Sequence, residues 1–247
     1  MNHSSGQWPD WPVFGSDEKK AVQRVIDSNQ LFAADEVRMF EDAFASYVGS
    51  TYAKGLGNAT QGLHLALAAL DIGIGDEVIV TPYSWISSAS CVLMQNAVPV
   101  FADIEPETFG MDPVGVENAI SDQTRAVIFV HMFGYPGKIA EIRDIAEKHH
   151  LCLIEDASHV PGAASAGKKL GTFGDIGVFS LHQRKTLCVG DGGMVITSDR
   201  SINDRIYRLR SFGDDELSYN YRMTEFAAAI GRVRLEGLDQ ENASRIR

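Results

Sequence analysis

The sequence predicts an α/β protein, a mostly parallel sheet covered on both faces by helices. Short apolar runs recur along the chain: Val78-Ile79-Val80, Val98 to Ala102, Ala126 to Val130, Leu151 to Ile154, Ile176 to Phe179 and Met194 to Thr197. Helical patterns separate most of them, at 86–96, 113–120 and 139–149, the last with Ile139, Ile142 and Ala146 aligned. The runs are continuous rather than alternating, which marks strands buried on both faces. Strands that alternate with amphipathic helices build crossover units, and crossovers make parallel sheets.

The N-terminal third adds helices. Residues 1–16 are rich in Pro, Trp, Gly and Ser and read as an irregular arm. Asp17 opens a helix with Val22, Val25 and Ile26 on one side. A second helix carries Val37, Phe40, Phe44 and Tyr47 and stops at Gly49. Gly55 to Thr60 is a small-residue turn that leads into a helix with Leu63, Ala66, Leu67 and Leu70 on one face. At the far end Thr224 to Arg247 reads as one long helix through Phe226, Ile230, Val233 and Leu238. It ends in charge with no stop signal, as though the element continued.

Composition narrows the function. The 247 residues, 45% hydrophobic and 22% charged, suffice for one large soluble domain or two small ones. A net charge of −11 argues against a nucleic-acid groove, which needs a basic face. No apolar run reaches membrane-spanning length, and the start lacks the plan of a signal peptide. Cys91, Cys152 and Cys188 form no CxxC pair, so the expectation is free thiols in a reducing cytoplasm.

The chemistry centres on Lys185. It follows the strand ending at Phe179 and precedes Gly190, Gly192 and Gly193. Strand ends collect ligands in α/β folds, and glycines let backbone approach them. An amine there suits a Schiff base with a carbonyl such as pyridoxal phosphate, although a solvated loop lysine has the same local pattern. Asp156 ends another strand run, where a buried carboxylate needs a cation or a hydrogen bond. A protonated ring nitrogen would serve, as would a helix cap or a structural ion pair. His159 follows three residues later. Asn58-Ala59-Thr60 precedes a helix, whose free N–H groups would take a phosphate or simply a side-chain cap. Ser180 lies beside a strand end, and Trp85 is an aromatic plate just past another. Gly162 to Lys169 nearly matches a nucleotide-binding loop, but Lys169 stands where a hydroxyl must hold magnesium. The histidines have no metal-ligand spacing, and no metal is expected.

Taken together, these stretches resemble the DegT/StrS family of sugar and cyclitol aminotransferases, pyridoxal-phosphate enzymes of the aspartate-aminotransferase fold. The matching stretches are Asn58 to Leu67, Gly75 to Val80, Glu155 to His159, Gly171 to Ser180 with Lys185, Gly190 to Gly193, and Tyr219 to Glu225, in the family's order. The resemblance implies a seven-stranded-type sheet sandwiched by helices, with a large cofactor-binding domain over 17–223. It implies that 224–247 leads to a small C-terminal domain absent from this chain. Lys185 would hold the cofactor covalently, Asp156 would keep its ring nitrogen protonated, and His159 would sit near its phenolate oxygen. Trp85 would stack on the ring, while the Ala59 amide, Thr60 and Ser180 would bind the phosphate. Asn220 would reach the phosphate of a second subunit, so that a homodimer shares its sites. Glutamate or glutamine would be the amino donor, and a keto-sugar or keto-cyclitol of antibiotic or glycan biosynthesis the acceptor. Ala59 and Asp191 stand where the family has glycine and glutamate. Relatives that have lost the lysine act as sugar dehydratases, so the presence of Lys185 favours transamination. The alternative readings are a pyridoxal-phosphate-binding regulatory or scaffold protein without turnover, a sugar dehydratase of the family, and, third, an α/β binding protein without that cofactor.

Overall fold

The computed structural model describes residues 11–212 and 217–245. Seven strands form one sheet: β1 (Tyr52–Leu56), β2 (Glu77–Val80), β3 (Val98–Phe101), β4 (Thr124–Val130), β5 (Cys152–Asp156), β8 (Ile176–Ser180) and β9 (Gly193–Thr197). Their order across the sheet is β1-β9-β8-β5-β4-β2-β3. The pairs from β3 to β8 are parallel, and β9 alone runs against its neighbours β8 and β1. Two short strands, β6 (Ala164–Ser165) and β7 (Lys168–Lys169), make a separate hairpin from the stretch that resembles a nucleotide loop.

Helices cover both faces. On one lie α3 (Ala59–Ala69), α4 (Ser87–Met94) and α7 (Arg200–Arg210), packed on Val78, Val80, Ile128, Ile154, Ile176, Val178 and Val195. Every residue of α3 from Gly62 to Ala69 is buried, the mark of a central helix. A Cβ at Gly62 would stand 2.7 Å from Val178 Cγ1, so glycine sets how closely α3 approaches β8.

On the other face α5 (Pro113–Asn118) and α6 (Ile139–Lys148) flank Ile79, Val127, Phe129 and Leu153. Beside them α2 (Asp35–Val48) and α8 (Glu225–Glu236) cover Phe179, Met194 and Ile196. There Phe44 meets Phe40 and Phe179 edge-on at 6.1 and 5.0 Å. Burying each such ring contributes roughly 1.5–3 kcal/mol. Helix α1 (Ser16–Ser28) packs outside α8 through Ala21 and Val25.

Three elements differ from the sequence reading. The strand β1 was not anticipated, because Lys54 and Gly55 interrupt its apolar pattern; its pairing with β9 holds it in place. Helix α7 was not anticipated because it is mostly polar, with only Asn203, Ile206 and Leu209 buried, although Ile202, Ile206 and Leu209 recur at helical spacing. The segment read as one long helix is two, since α8 ends at Gly237 and α9 (Leu238–Arg245) begins after it. Glycine is about 1 kcal/mol worse than alanine inside a helix, and Gly237 is where the helical run is interrupted. Residues 1–10 of the expected arm and residues 246–247 lie outside the described residues. The described part of the arm rests on α8 and α9 through Trp11, whose ring lies 5.1 Å from the Arg234 guanidinium and 4.1 Å from that of Arg245.

Candidate active site

The carboxyl ends of β5 and β8 carry the chemistry. Alternation along β5 sends Ile154 to the α3 face of the sheet and Leu153 to the opposite face, and Asp156 follows Ile154. The Asp156 side chain is 6% exposed and accepts one hydrogen bond, from the Ser158 N–H at 3.1 Å. Its charge reaches α4: the Cys91 thiol is pushed up to about 12, first by burial and then by Asp156.

Lys185 lies on the loop from β8 to β9. That loop is fastened by Leu181 N–H to Gly192 O at 2.8 Å, Gln183 N–H to Gly190 O at 2.7 Å and Lys185 N–H to His182 O at 2.8 Å. The side chain is half-buried and makes no ion pair or side-chain hydrogen bond among the described residues. Burial holds its pKa below the ordinary lysine value, and the nearby Asp156 charge opposes that shift. His159 is likewise held below the ordinary histidine value, by burial first and then by Lys185, with Asp156 opposing. Each of the three is shifted by, or shifts, the others, so Asp156, His159 and Lys185 form one cluster.

A helix N-terminus lies beside it. Asn58 caps α3 by accepting the Gln61 N–H at 2.9 Å, leaving Ala59 and Thr60 as the first two helical residues. Thr60 Oγ1 meets Ser87 Oγ of α4 at 2.6 Å. Gly193 passes so close that a Cβ there would stand 2.5–2.8 Å from Asn58 C and O and Ala59 N. Ser180, buried at the end of β8, is paired in register with Gly193. The strand pairing therefore brings Ser180 to the amides of α3, although the two are 120 residues apart in sequence.

Two residues expected at the site stand apart from this cluster. Trp85, on the turn before α4, is 75% exposed and makes no ring contact among the described residues. Asn220 is exposed, and its backbone bridges to Ser211. It is flanked by Tyr219 and Tyr221, whose rings stack at 4.8 Å and 5°. Both hydroxyls enter a network with α3 and the end of α4. Gln95 Nε2 donates to Tyr219 OH at 3.1 Å and lies 2.8 Å from His64 Nε2, while His64 Nδ1 meets Tyr221 OH at 2.9 Å. An amide nitrogen only donates, so His64 accepts at Nε2 and gives its Nδ1 proton to the tyrosine.

Sequence reasoning did not single out Ser87, Phe133 or the pair of His131 and Glu155. The serine run Ser84, Ser87, Ser88 after a strand was a usable signal for the first. His131 Nε2 and Glu155 Oε2 are 2.7 Å apart and wholly buried, on the face opposite Asp156. Among the described residues no cluster of side chains could hold a metal ion, and no helix is long and apolar enough to cross a membrane.

A seven-stranded, mostly parallel sheet with a lysine and a buried carboxylate converging at its strand ends is the large-domain architecture of fold type I transferases. The chain belongs to the DegT/DnrJ/EryC1/StrS aminotransferase family, whose sequence profile matches residues 12–247. It is 38% identical over 238 residues to the GDP-perosamine synthase of Vibrio cholerae, a match covering 93% of this chain and 65% of that protein. It is 37% identical to the L-glutamine:scyllo-inosose aminotransferase of Streptomyces griseus, covering 99% of this chain and 63% of the relative. The crystal structure of an aminotransferase from Psychrobacter cryohalolentis superposes with a TM-score of 0.92 at 35% identity, over 95% of this chain and 65% of that one. The chain thus spans somewhat under two-thirds of the length of the relatives it matches.

Proposed function

We propose that this chain is the cofactor-bearing part of a pyridoxal-phosphate-dependent aminotransferase. It would move an amino group from glutamate or glutamine to a keto-sugar or keto-cyclitol, in antibiotic or glycan biosynthesis. The observation that carries the reading is the half-buried Lys185 amine, whose pKa burial lowers from the ordinary lysine value, in the electrostatic reach of buried Asp156 at the carboxyl edge of the sheet. An unprotonated amine is the form that attacks a carbonyl.

The residues present suit this cofactor: an amine for its aldehyde, an acid for its ring nitrogen, an imidazole, and a helix N-terminus with hydroxyls for its phosphate. When bound, pyridoxal phosphate supplies an electron sink for the carbon that loses a proton. Lys185 is assigned the covalent attachment and, once displaced by the donor's amine, the transfer of the substrate proton. Asp156, on the opposite side of the charge balance, is assigned to keep the ring nitrogen protonated. The Ala59 amide, Thr60 and Ser180 are assigned the phosphate, and His159 the ring's anionic oxygen. Trp85, open to solvent, is free to cover a flat ring. Asn220, exposed on a segment pinned by two stacked tyrosines, is assigned to the phosphate bound by a second copy, which makes the working unit a homodimer. Three free cysteines suit a cytoplasmic setting.

The test begins with borohydride reduction of the cofactor-loaded protein followed by peptide mapping. The label is expected on Lys185 and absent from Lys185→Ala, which is also expected to lose turnover completely. A label that survives in the variant overturns the assignment. Adding glutamine or glutamate should convert the cofactor spectrum to the aminated form. Protein that binds the cofactor but shows no conversion with any donor would be a binding protein instead. Keto-cyclitols and nucleotide keto-sugars offered to the aminated enzyme then identify the acceptor class.

A further inference from the structure

Three aromatic side chains gather beside His159. Tyr83, Phe109 and Phe133 have ring centroids 5.8–6.1 Å apart, and the Phe133 ring lies parallel to the His159 imidazole at 6.4 Å and 15°. Phe109 and Phe133 both have left-handed backbones, φ 60° and 52°. That conformation is unfavourable for a bulky residue and persists only where its surroundings impose it. At Phe133 it turns the backbone N–H onto His159 Nδ1 at 3.3 Å.

The turn that carries Phe133 is held from two sides. His131 N–H donates to Asp156 O at 3.1 Å, and Tyr135 N–H to Met132 O at 3.0 Å. Below the sheet the His131 imidazole is bonded to Glu155, whose carboxylate also accepts the Gly171 and Gly174 N–H groups at 2.9 and 2.6 Å. The strained amide therefore has a fixed aim.

An imidazole nitrogen that accepts a hydrogen bond carries no proton, so the single proton of the neutral ring sits on the other nitrogen. We propose that Phe133 is a positioning residue whose backbone amide fixes His159 as the neutral Nε2–H tautomer, presenting a hydrogen-bond donor to the ligand of the Lys185–Asp156 site. Protonating Nδ1 would set N–H against N–H, so the bond and the neutral ring reinforce each other. Burial and the Lys185 ammonium act in the same direction, with Asp156 the opposing charge. A donor held in this way suits an anionic oxygen on the bound ring. The inference rests on the functional reading only in naming that ligand.

Long-range proton–nitrogen spectra of histidine-labelled full chain, with and without pyridoxal phosphate, test it, with His159→Gln supplying the assignment. The wild type is expected to show one form, Nε2 protonated and Nδ1 bare, in both states. Phe133→Gly keeps the left-handed backbone and its N–H while removing the ring, and is expected to keep that form. Phe133→Pro removes the N–H and cannot adopt the backbone angle, and is expected to lose the single form. If the proline variant does not fold, the other two spectra decide. A protonated Nδ1 or a mixture in the wild type, a changed tautomer in Phe133→Gly, or an unchanged one in a folded Phe133→Pro overturns the proposal. The cofactor-free spectra report on it even if the protein proves to bind no cofactor, so the two readings fail separately.

Discussion

Glu155 and Asp156 are consecutive carboxylates on one strand, both buried, and their surroundings are opposite. Glu155 is 0% exposed and takes three hydrogen bonds, from His131 and from the amides of Gly171 and Gly174. Asp156 is 6% exposed, takes one hydrogen bond, and shares its side of the sheet with an amine and an imidazole that carry no fixed countercharge. A carboxylate whose partners are all protein groups is spent on holding the fold together. One left under-bonded beside a free amine has capacity for something from outside. The strand's two-residue period makes this separation, sending neighbours in sequence to different faces.

The largest effect that would break this contrast is on stability. Glu155→Ala strands His131 and two glycine amides without a partner, and the loss is expected to be about 3–5 kcal/mol by denaturant titration. A loss under about 1 kcal/mol would mean that Glu155 is as spare as Asp156. Asp156→Asn should do the reverse, keeping the denaturation midpoint while lowering single-turnover rates on the order of 10²–10³-fold, the scale of one preorganised electrostatic partner. Rates within tenfold of wild type would make Asp156 merely structural.

A smaller effect is expected at the helix that faces Asp156. Gly193→Ala drives a methyl into Asn58 and the Ala59 amide and should cost about 1–3 kcal/mol. Because the displaced group is the proposed phosphate cradle, cofactor affinity should fall as well, read by fluorescence titration. Destabilisation with unchanged affinity would remove the phosphate from that end of α3.

The smallest is a titration. Between the depressed pKa of Lys185 in the folded protein and its ordinary value in the unfolded chain, the unfolded chain binds more protons. This side chain's contribution to stability therefore rises with pH across that window. The direct readout is the pH at which the Lys185 amine reacts with an acylating reagent in cofactor-free protein, expected below that of surface lysines. Asp156→Asn removes the opposing charge and should lower that pH further, whereas a Glu155 variant that remains folded should leave it where it was.

Much of the architecture was visible in the residues because buried parallel strands announce themselves as unbroken apolar runs, as Ala126 to Val130 does. What stayed hidden depends on pairing rather than pattern. The strand from Tyr52 to Leu56 has a lysine and a glycine in its middle and exists because Gly193 to Thr197 runs antiparallel beside it. At the site, Lys185 and Asp156 could be picked out because each sits just at or past a strand end. Phe133 could not, since its part is played by a backbone N–H whose direction follows from a left-handed φ that nothing about a phenylalanine foretells. His131 and Glu155 were illegible for a related reason: a histidine and a glutamate 24 residues apart show no sign of touching until β4 and β5 are in register.

Helix α2 has no capping side chain of its own at its first turn. The Glu225 carboxylate, which begins α8, takes the Ala34 and Val37 N–H groups at 2.8 and 3.1 Å. During synthesis, then, a helix made early must wait with its amides in water until almost two hundred further residues have left the ribosome. The first turn of α2 should be the part of that helix that locks last and loosens first. Exchange protection of the first-turn amides of α2 should depend on one glutamate far downstream, while the rest of the helix is held by its own Phe40 and Phe44.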